Sequence, residues 1–223
     1  MKYPIRINKY LRDEGFVSRR EADKLVESGL VFINGEKAKN GVLVNENDKI
    51  DIRGKLKENK YLAFYKPRGL ATQDLLGKKS VISEWKKHGL YPIGRLDKES
   101  EGLLILTNDG RFARKILSEK SEYEKEYVVT VKEPLRAGIP AIFKSGMQTK
   151  TLGKLLPAKA KILNKNTIQI ILSEGKRHQI RIMLDELRYT VVSLKRIRIG
   201  NIKLDNLKSG QTRSFVINKY SLK

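Results

Sequence analysis

A helix followed by a hairpin is predicted in the first fifty residues. Three apolar positions at helical spacing form one face of this helix: Ala22, Leu25 and Val26. Ser18 and Glu21 have the spacing of a capping box at its start. The apolar triplet 31–33 predicts a strand, and Asn34-Gly35 directly after it is a strong two-residue hairpin turn. The pattern therefore predicts a compact helix-hairpin unit.

Longer apolar patterns predict the core of the remaining chain. Residues 103–107 (LLILT) form a continuous apolar run that suits a strand buried on both faces. A helix is predicted over 111–117, with Asn108 or Asp109 as its cap. A strand over 125–131 places three residues on one face: Tyr127, Val129 and Val131. Spacing of i, i+3, i+4 and i+7 predicts a further helix through Ile180, Met183, Leu184 and Leu187.

The distribution of charge separates two parts of the chain. Residues 53–60 (RGKLKENK) are charged, nearly free of apolar side chains and flanked by strand-like segments, which suits an exposed linker. Residues 1–60 hold 14 basic and 10 acidic side chains, net +4, which leaves +18 for residues 61–223. We therefore expect two domains, 1–55 and 61–223, with most of the attraction for polyanions in the second.

The whole chain carries 47 Lys+Arg against 25 Asp+Glu, a formal net charge of +22. Such a balance attracts polyanions, and 39% hydrophobic residues indicate a folded protein rather than a disordered polycation. Nucleic acid is favoured over anionic lipid because no basic amphipathic helix stands apart from the fold. No apolar stretch approaches the ~18–20 residues of a membrane span, and the N-terminus lacks a secretory signal. We expect a cytoplasmic protein without a membrane partner.

The residues available for chemistry are restricted. The chain has no cysteine, and its two histidines, His88 and His178, are far apart in the sequence. This excludes disulfides, thiolate catalysis, iron–sulfur clusters and structural zinc. Neither a GxGxxG fingerprint nor a Gly-Lys-Ser/Thr phosphate loop is present. Chemistry must come from carboxylate, hydroxyl, amine or guanidinium groups, and no metal or cofactor is expected.

The N-terminal part resembles a known RNA-binding module. The segments 6–11 (RINKYL), 18–23 (SRREAD) and 29–35 (GLVFING) are similar to the module named after small-subunit ribosomal protein S-four, over residues 5–52. The resemblance implies RNA contacts by Arg6, Lys9, Arg19, Arg20 and Lys24. The pattern alone leaves two interpretations of the arginines in the first helical turn, because the helix dipole disfavours positive charge there. Either they are tolerated on the surface, or they bind a phosphate.

One acidic loop stands directly before the predicted core strand. In the segment 94–102 (GRLDKESEG), Asp97 is flanked by Arg95 and Lys98, so its ionised form is favoured at neutral pH. A carboxylate with a low pKa can act as a nucleophile. The residues alone also permit a loop aspartate in a surface ion pair.

The same loop carries a family resemblance. GRLD followed by SEGLLILTNDG is similar to the signature of pseudouridine synthases, and more narrowly to the RsuA-type family, which modifies uridines in ribosomal RNA. Asp97 matches the catalytic aspartate of that family. Three further motifs agree in order: 66–69 (KPRG), 123–129 (YEKEYVV) and 174–181 (EGKRHQIR). The resemblance implies an α+β fold in which the helix-hairpin RNA-binding domain precedes a catalytic domain with a mixed, largely antiparallel sheet and flanking helices.

The resemblance implies roles for residues around Asp97. Tyr127 would stack on the target uracil and assist proton transfer, although the strand pattern also permits an ordinary core aromatic. Arg181 would keep Asp97 ionised and aligned, although an ion pair with Asp185 at i+4 is the alternative. The substrate-binding residues would be Arg95, Ile180, Lys66 and Arg177. His178 is expected to be structural or solvated.

Basic residues cluster near the third motif. The segment 195–199 (KRIRI) alternates as a strand that presents its charges on one face, and neutralisation of the RNA backbone is the natural use of this cluster. RNA-binding residues are expected at Lys176, Lys195, Arg196 and Arg198. Ile182 stands where many relatives carry a second basic residue, so that contact of the family is missing here.

We therefore expect site-specific isomerisation of uridine in ribosomal RNA, with a mild preference for the large subunit, by a monomer. The base must be flipped out of its stack, because stacked bases are unreachable. Whether Asp97 attacks the ribose, attacks the uracil or abstracts a ribose proton stays open. One alternative is a non-catalytic RNA-binding or ribosome-assembly protein. A methyltransferase with the same N-terminal module is disfavoured because no glycine-rich cofactor loop follows a strand.

Overall fold

The structure is a computed structural model that describes residues 3–14, 16–17, 19–54, 58–73, 77–118 and 123–217. The chain divides into two compact units. The first contains residues 1–59 together with 109–114, and the second contains residues 60–108 and 115–223. The exposed residues 53, 54 and 58–60 lie at the predicted linker.

The first unit contains two helices and five short strands: β1 (Ile5–Arg6), α1 (Ile7–Asp13), α2 (Arg19–Glu27), β2 (Val31–Ile33), β3 (Glu36–Lys37), β4 (Leu43–Val44) and β5 (Ile50–Ile52). The strands pair antiparallel as β3-β2-β5 and as β1-β4. Asn34 and Gly35 both have positive φ, 52° and 89°, as the predicted hairpin turn requires. The helix-hairpin prediction is thus confirmed, while the proposed cap Ser18 lies outside the described residues.

The helices of this unit cover its own apolar core. Ala22 and Val26 of α2 are buried, as the helical spacing predicted, and Leu25 packs against the same cluster. Ile7 and Leu11 of α1 are buried with them, because α1 and α2 contact each other through these faces. The charged residues of both helices are left on the outside.

The elements from residue 61 onwards are β6 (Tyr61–Lys66), α3 (Val81–Trp85), a 3₁₀ turn (Lys86–His88), β7 (Tyr91–Ile93), β8 (Glu101–Thr107), α4 (Gly110–Leu117), β9 (Lys125–Val131), α5 (Ile139–Lys144), β10 (Gln148–Thr149), β11 (Gly153–Lys154), β12 (Lys159–Asn164), β13 (Thr167–Leu172), α6 (Gln179–Glu186), β14 (Val191–Ile199), β15 (Ile202–Lys203) and β16 (Thr212–Ser214). In the part of the chain that the structure describes, nine of these strands form one sheet in the order β12-β13-β9-β14-β8-β6-β16, with β15 on β14 and β7 on β8. The β14–β8 pair is parallel and the other pairs are antiparallel, which confirms the mixed, largely antiparallel sheet.

Strand β8 lies inside this sheet, between β6 and β14. Its residues Leu103, Leu104, Ile105 and Leu106 are fully buried, as the continuous apolar run predicted. Gly102 has a φ of +104°, and a Cβ at this position would lie 2.3 Å from the carbonyl oxygen of Arg196 in β14. Only glycine permits this close approach, which fixes the start of β8 against β14.

Two of the predicted helices, α4 and α6, form where the sequence indicated. Helix α4 is capped by Asp109, whose Oδ1 accepts hydrogen bonds from the backbone N–H groups of Arg111 (2.9 Å) and Phe112 (3.2 Å). Helix α6 buries Ile180, Met183 and Leu184 on one face, as predicted, and ends one residue before Leu187. None of the helices that the structure describes has the length and apolarity needed to cross a bilayer.

Candidate active site

A pocket with a cavity volume of about 270 Å³ opens beside the loop that precedes β8. Its walls come from this loop, from β9 and β14, and from the segment that leads into α6. The loop contributes Arg95 and Asp97, β9 contributes Tyr127, and the α6 segment contributes Ile180 and Arg181. Residues from three separate sequence motifs therefore meet at one place in the second unit.

The segment after the KPRG motif holds the Asp97 loop. The hydroxyl of Thr72 donates to the carbonyl of Leu96 (2.6 Å) and accepts from the backbone N–H of Leu96 (3.0 Å). The backbone N–H of Gly69 donates to the carbonyl of Lys98 (2.8 Å), and that of Ser100 donates to the carbonyl of Asp97 (3.0 Å). The backbone on both sides of the Asp97 side chain is thus fixed.

Lys66 is not among the residues that line the pocket, although Asp97 is close to it. Its side chain is fully buried, and its Nζ donates to the carbonyls of Pro67 (2.9 Å) and Leu70 (2.7 Å). Burial lowers the pKa of the Lys66 ammonium to about 8, although the negative charge of the nearby Asp97 opposes this shift. Lys66 supports the loop from below, so direct contact with substrate, as expected from the resemblance, does not match its position.

Asp97 is paired with a histidine that the sequence did not single out. Nδ1 of His178 lies 3.2 Å from Oδ2 of Asp97, and the two side chains are 43% and 33% exposed. Nε2 of His178 accepts a hydrogen bond from Nε of Arg177 (3.2 Å). Since an arginine only donates, Nε2 is the acceptor of this bond, and Nδ1 is the ring nitrogen that faces the carboxylate. The chain Arg177–His178–Asp97 therefore orients the carboxylate.

Backbone conformation places His178 where it reaches Asp97. His178 precedes α6 with φ 55° and ψ 17°, a left-handed conformation that few residues other than glycine adopt. No sequence pattern indicated this turn or the contact with Asp97, which adds to the expectation of a structural or solvated histidine. The feature of the sequence that could have indicated this contact was the position of His178 inside the third motif.

Arg181 lines the pocket, but the contact with Asp97 that we expected is not formed. Its Nη2 donates to the carbonyl of Glu99 (3.1 Å) and to the hydroxyl of Ser100 (3.2 Å). Within the described ranges it forms no ion pair, either with Asp97 or with Asp185. Arg181 thus holds the loop through its backbone and a hydroxyl, two and three residues beyond the carboxylate.

Tyr127 and Ile180 provide the apolar surface of the pocket. Tyr127 is 8% exposed on β9, on the same face as Val129 and Val131, and Ile180 is 4% exposed at the start of α6. Both side chains belong to the core cluster and line the pocket. Tyr127 and Ile180 are therefore core residues that also form part of the pocket wall.

Strand β14 does not present its charges on one face. The pairing of β14 with β9 is irregular between Arg196 and Arg198, so Arg196 lies opposite Tyr127 while Arg198 lies opposite its neighbour Glu126. Adjacent residues of a strand point to opposite faces, so the irregularity separates the two arginines. The prediction of one charged face is wrong for this reason.

The three cations of β14 have different surroundings. Arg196 is 4% exposed and lines the pocket, which does not match an exposed RNA-backbone contact. Nζ of Lys195 lies 5.0 Å from the ring centroid of Tyr65. Arg198 pairs with Glu126 and with Glu124.

The pocket is strongly positive around one acid. Among its lining residues in the described chain, Asp97 is the sole carboxylate. The cationic lining residues are Arg95, Lys125, Lys176, Arg177, Arg181 and Arg196. Lys176 also donates to the carbonyls of Leu152 and Lys154, both at 3.1 Å, so the β10–β11 hairpin lies at the rim. Such a pocket favours an anionic polymer.

The five basic residues expected to contact RNA in the first unit are all exposed: Arg6, Lys9, Arg19, Arg20 and Lys24. They lie on β1, α1 and α2. In the portion that the structure describes, none of them forms an ion pair, whereas Arg12 of the same unit is paired with Asp13. Acids of the described residues therefore do not neutralise their charges.

Comparison with known proteins agrees with this arrangement. A family model described as RNA pseudouridylate synthase matches residues 60–186, and an S4 domain model matches residues 5–50. The chain is 36% identical over 225 residues to the dual-specificity RNA pseudouridine synthase RluF of Escherichia coli (strain K12), covering 94% of this chain and 74% of the relative. It is 37% identical over 222 residues to the ribosomal large subunit pseudouridine synthase B of Bacillus subtilis (strain 168), covering 93% and 91%.

A solved structure is similar over nearly the same length. The crystal structure of a pseudouridylate synthase aligns with a TM-score of 0.70 and 29% identity, covering 95% of this chain and 96% of the other. The resemblance carried by the four motifs is thus confirmed along the chain. The protein belongs to the RNA pseudouridylate synthase family and is a pseudouridine synthase with an S4 domain at its N-terminus.

Proposed function

We propose that this enzyme converts a specific uridine of ribosomal RNA to pseudouridine, with Asp97 as the catalytic carboxylate. The observation that carries the proposal is the placement of Asp97 as the sole acid among the described lining residues of a cationic pocket that Tyr127 also lines. The names of the relatives RluF and ribosomal large subunit pseudouridine synthase B support RNA, and large-subunit RNA in particular, as substrate.

Each of these pocket residues has its own role in the reaction. The flipped uridine enters the pocket, at a cost of about a few kcal/mol that contacts with the base offset. Asp97 acts on the unit of sugar and base, Tyr127 stacks on the base and assists proton transfer, and Ile180 packs at the edge. Arg181 fixes the Asp97 loop, and His178 orients the carboxylate.

The other basic residues hold RNA. Residues 1–55 form the RNA-binding domain and contact structured RNA through Arg6, Lys9, Arg19, Arg20 and Lys24. Residues 61–223 form the catalytic domain, in which Arg95 and Arg177 bind the substrate near the target. Backbone contacts fall to Lys176 and Lys195, whereas Arg198, also expected from the sequence, is paired with Glu124 and Glu126. The net charge of +22 supports this use, because backbone recognition depends on cations.

The enzyme acts as a monomer on large-subunit RNA in the cytoplasm. The relative from Bacillus subtilis is named for the large subunit, which supports the choice of RNA. The proposed substrate, ribosomal RNA, is the reason for placing the enzyme in the cytoplasm.

The experiment incubates the purified protein with unmodified transcripts of large-subunit RNA, small-subunit RNA and transfer RNA, and maps pseudouridine in each. Conversion of a defined uridine in the large-subunit transcript is expected. Conversion confined to another transcript would contradict the choice of RNA. Binding of RNA by a folded protein that converts no uridine would favour the non-catalytic alternative.

A further inference from the structure

Arg196 is a buried cation with one donor group left over. Its side chain is 4% exposed, Nε donates to the carbonyl of Leu103 (2.7 Å), and Nη1 donates weakly to the carbonyl of Arg95 (3.5 Å). Nη2 is buried and has no hydrogen-bond partner among the described residues. An unsatisfied donor on a buried charged group is costly, so such a group indicates a partner that the protein itself does not supply.

The position of Arg196 restricts what this partner is. Arg196 lines the pocket and lies directly opposite Tyr127 in the β9–β14 pairing. The Cβ atoms of directly opposed residues are about 4.5–5.5 Å apart. A base that stacks on Tyr127 therefore places its edge next to the guanidinium of Arg196.

A second cation faces the same place. Lys125 precedes Tyr127 by two residues on β9, so both side chains lie on the same face, and Lys125 also lines the pocket. Its side chain runs beside Gly175 in the segment that leads to α6. Burial, together with the charge of Arg196, lowers the pKa of the Lys125 ammonium. Two cations thus meet at the wall that holds Tyr127.

We propose that Arg196 and Lys125 form a subsite for the carbonyl oxygens of the target uracil and stabilise the negative charge that these oxygens acquire during the reaction. The inference rests on the proposed function and adds the group that binds the base. Its ligand class is a pyrimidine with two ring carbonyls, O2 and O4.

The charge arises on every route left open for Asp97. If the C1′–N1 bond breaks by attack on the ribose or after loss of a ribose proton, its electron pair stays on N1 and spreads to O2 and O4. If the carboxylate adds to the uracil ring, the ring electrons move to O4. After attack on the ribose, C5 displaces the carboxylate from C1′, and after loss of a ribose proton, that carbon takes the proton back as C5 bonds to C1′. After addition to the ring, the C1′–N1 bond breaks, C5 bonds to C1′, and the bond between the ring and the carboxylate then breaks. On each route C5 finally loses its proton and N1 gains one, so the isomerisation is balanced. Cations fixed beside the oxygens stabilise each of these anions.

A purely structural role is the competing explanation, because Arg196 also holds the carbonyls of Leu103 and Arg95. The test uses a synthetic stem-loop that contains the mapped target uridine, either unmodified or with sulfur in place of O2 or of O4. Sulfur accepts hydrogen bonds poorly, and its effect on the intrinsic reactivity of the base is common to every enzyme variant. Coupling between a protein change and a sulfur change therefore reports a contact between the two.

We expect the rate penalty of sulfur at O2 or O4 to be about tenfold larger in the native enzyme than in Arg196→Met, the size of a lost hydrogen bond to a charged group. Lys125→Met, which leaves the Leu103 and Arg95 contacts intact, is the second variant and is expected to show the same coupling with smaller size. Lys161→Met, an exposed lysine on β12, is the matched control and should leave the penalty unchanged.

Additive effects of protein and sulfur changes at both oxygens, for both variants, would overturn the subsite. Thermal unfolding of each variant separates loss of fold from loss of contact, and Lys125→Met keeps the test decisive if Arg196→Met does not fold. A native enzyme that converts no uridine in the unmodified stem-loop would instead overturn the proposed function, and the subsite with it.

Discussion

The Nδ1 atom of His178 lies 3.2 Å from Oδ2 of Asp97, and this contact connects the third motif (174–181) with the acidic loop (94–102). On the far side of the ring, Nε of Arg177 donates to Nε2 of His178. The imidazole therefore donates to one oxygen of the carboxylate and leaves the other free for substrate. Orientation of Asp97 thus depends on the imidazole of His178 as well as on the surrounding cations.

His178→Ala removes this donor while leaving Asp97 in place. We expect kcat to fall about ten- to a hundredfold, since a hydrogen bond to a charged group contributes about 1.5–3 kcal/mol, and KM to change little. Single-turnover kinetics with the target RNA measure both. His88→Ala is the matched control, because His88 is exposed and packs beside Trp85. Equal effects of the two variants, or a change in KM alone, would contradict an orienting role.

Salt tests the contribution of the first unit to RNA binding. We expect the logarithm of the affinity to fall with the logarithm of salt concentration by about 0.7–0.9 per phosphate contacted, and Arg19→Ala and Arg20→Ala each to reduce this slope by about one contact. Arg12→Ala is the control, because Arg12 is paired with Asp13 in the same unit. A slope that is zero, or that responds equally to all three changes, would refute backbone contacts by α2.

Lys66 links stability to alkaline pH. Its pKa is lowered from 10.5 to about 8 by burial, so below about pH 8 it is charged in both the folded and the unfolded chain. Between these values the unfolded chain binds more protons, and stability rises with pH. The free energy of unfolding of the native protein, minus that of Lys66→Met, should rise by up to about 1.4 kcal/mol per pH unit. Urea unfolding at pH 7.5 and 9.5 measures this difference, which stays constant if Lys66 keeps its ordinary pKa.

Gly102→Ala tests the close approach of β8 and β14. The new Cβ would lie 2.3 Å from the carbonyl oxygen of Arg196, at a φ of +104° that disfavours side chains. We expect destabilisation of about 3 kcal/mol or more in chemical unfolding. Gly138→Ala is the control, since nothing lies within 4 Å of its Cβ position, and it should change stability by less than about 1 kcal/mol. A small effect at Gly102 would mean that the strands separate at little cost.

Patterns within single elements predicted much of the fold. The apolar run at β8, the alternation around Tyr127 and the helical spacing through Ile180 depend on local burial, and the structure agrees with each. The turn at Asn34-Gly35 could also be predicted from the sequence, because backbone geometry restricts such turns to few residue types. The motifs also named the residues that meet in the pocket.

What could not be predicted depends on contacts between distant segments. The irregular pairing in β14 reverses Arg198 relative to Arg196, and alternation in one strand cannot reveal it. The burial of Lys66 depends on carbonyls that the fold brings to it, and the reach of His178 depends on a left-handed residue before α6. The hydrogen-bond partners of Arg181 likewise lie in the loop after Asp97, so the i+4 spacing along its own helix could not predict them.

The most direct test of the account is pseudouridine formation by Asp97→Asn. Asparagine keeps the size of the side chain and an oxygen that accepts from His178, so fold and RNA binding should be retained, while the charged nucleophile or base is lost. Mapping of the target uridine in the large-subunit transcript should show conversion reduced by about a thousandfold or more. Conversion at a rate near that of the native enzyme, at the same uridine, would contradict Asp97 as the catalytic carboxylate.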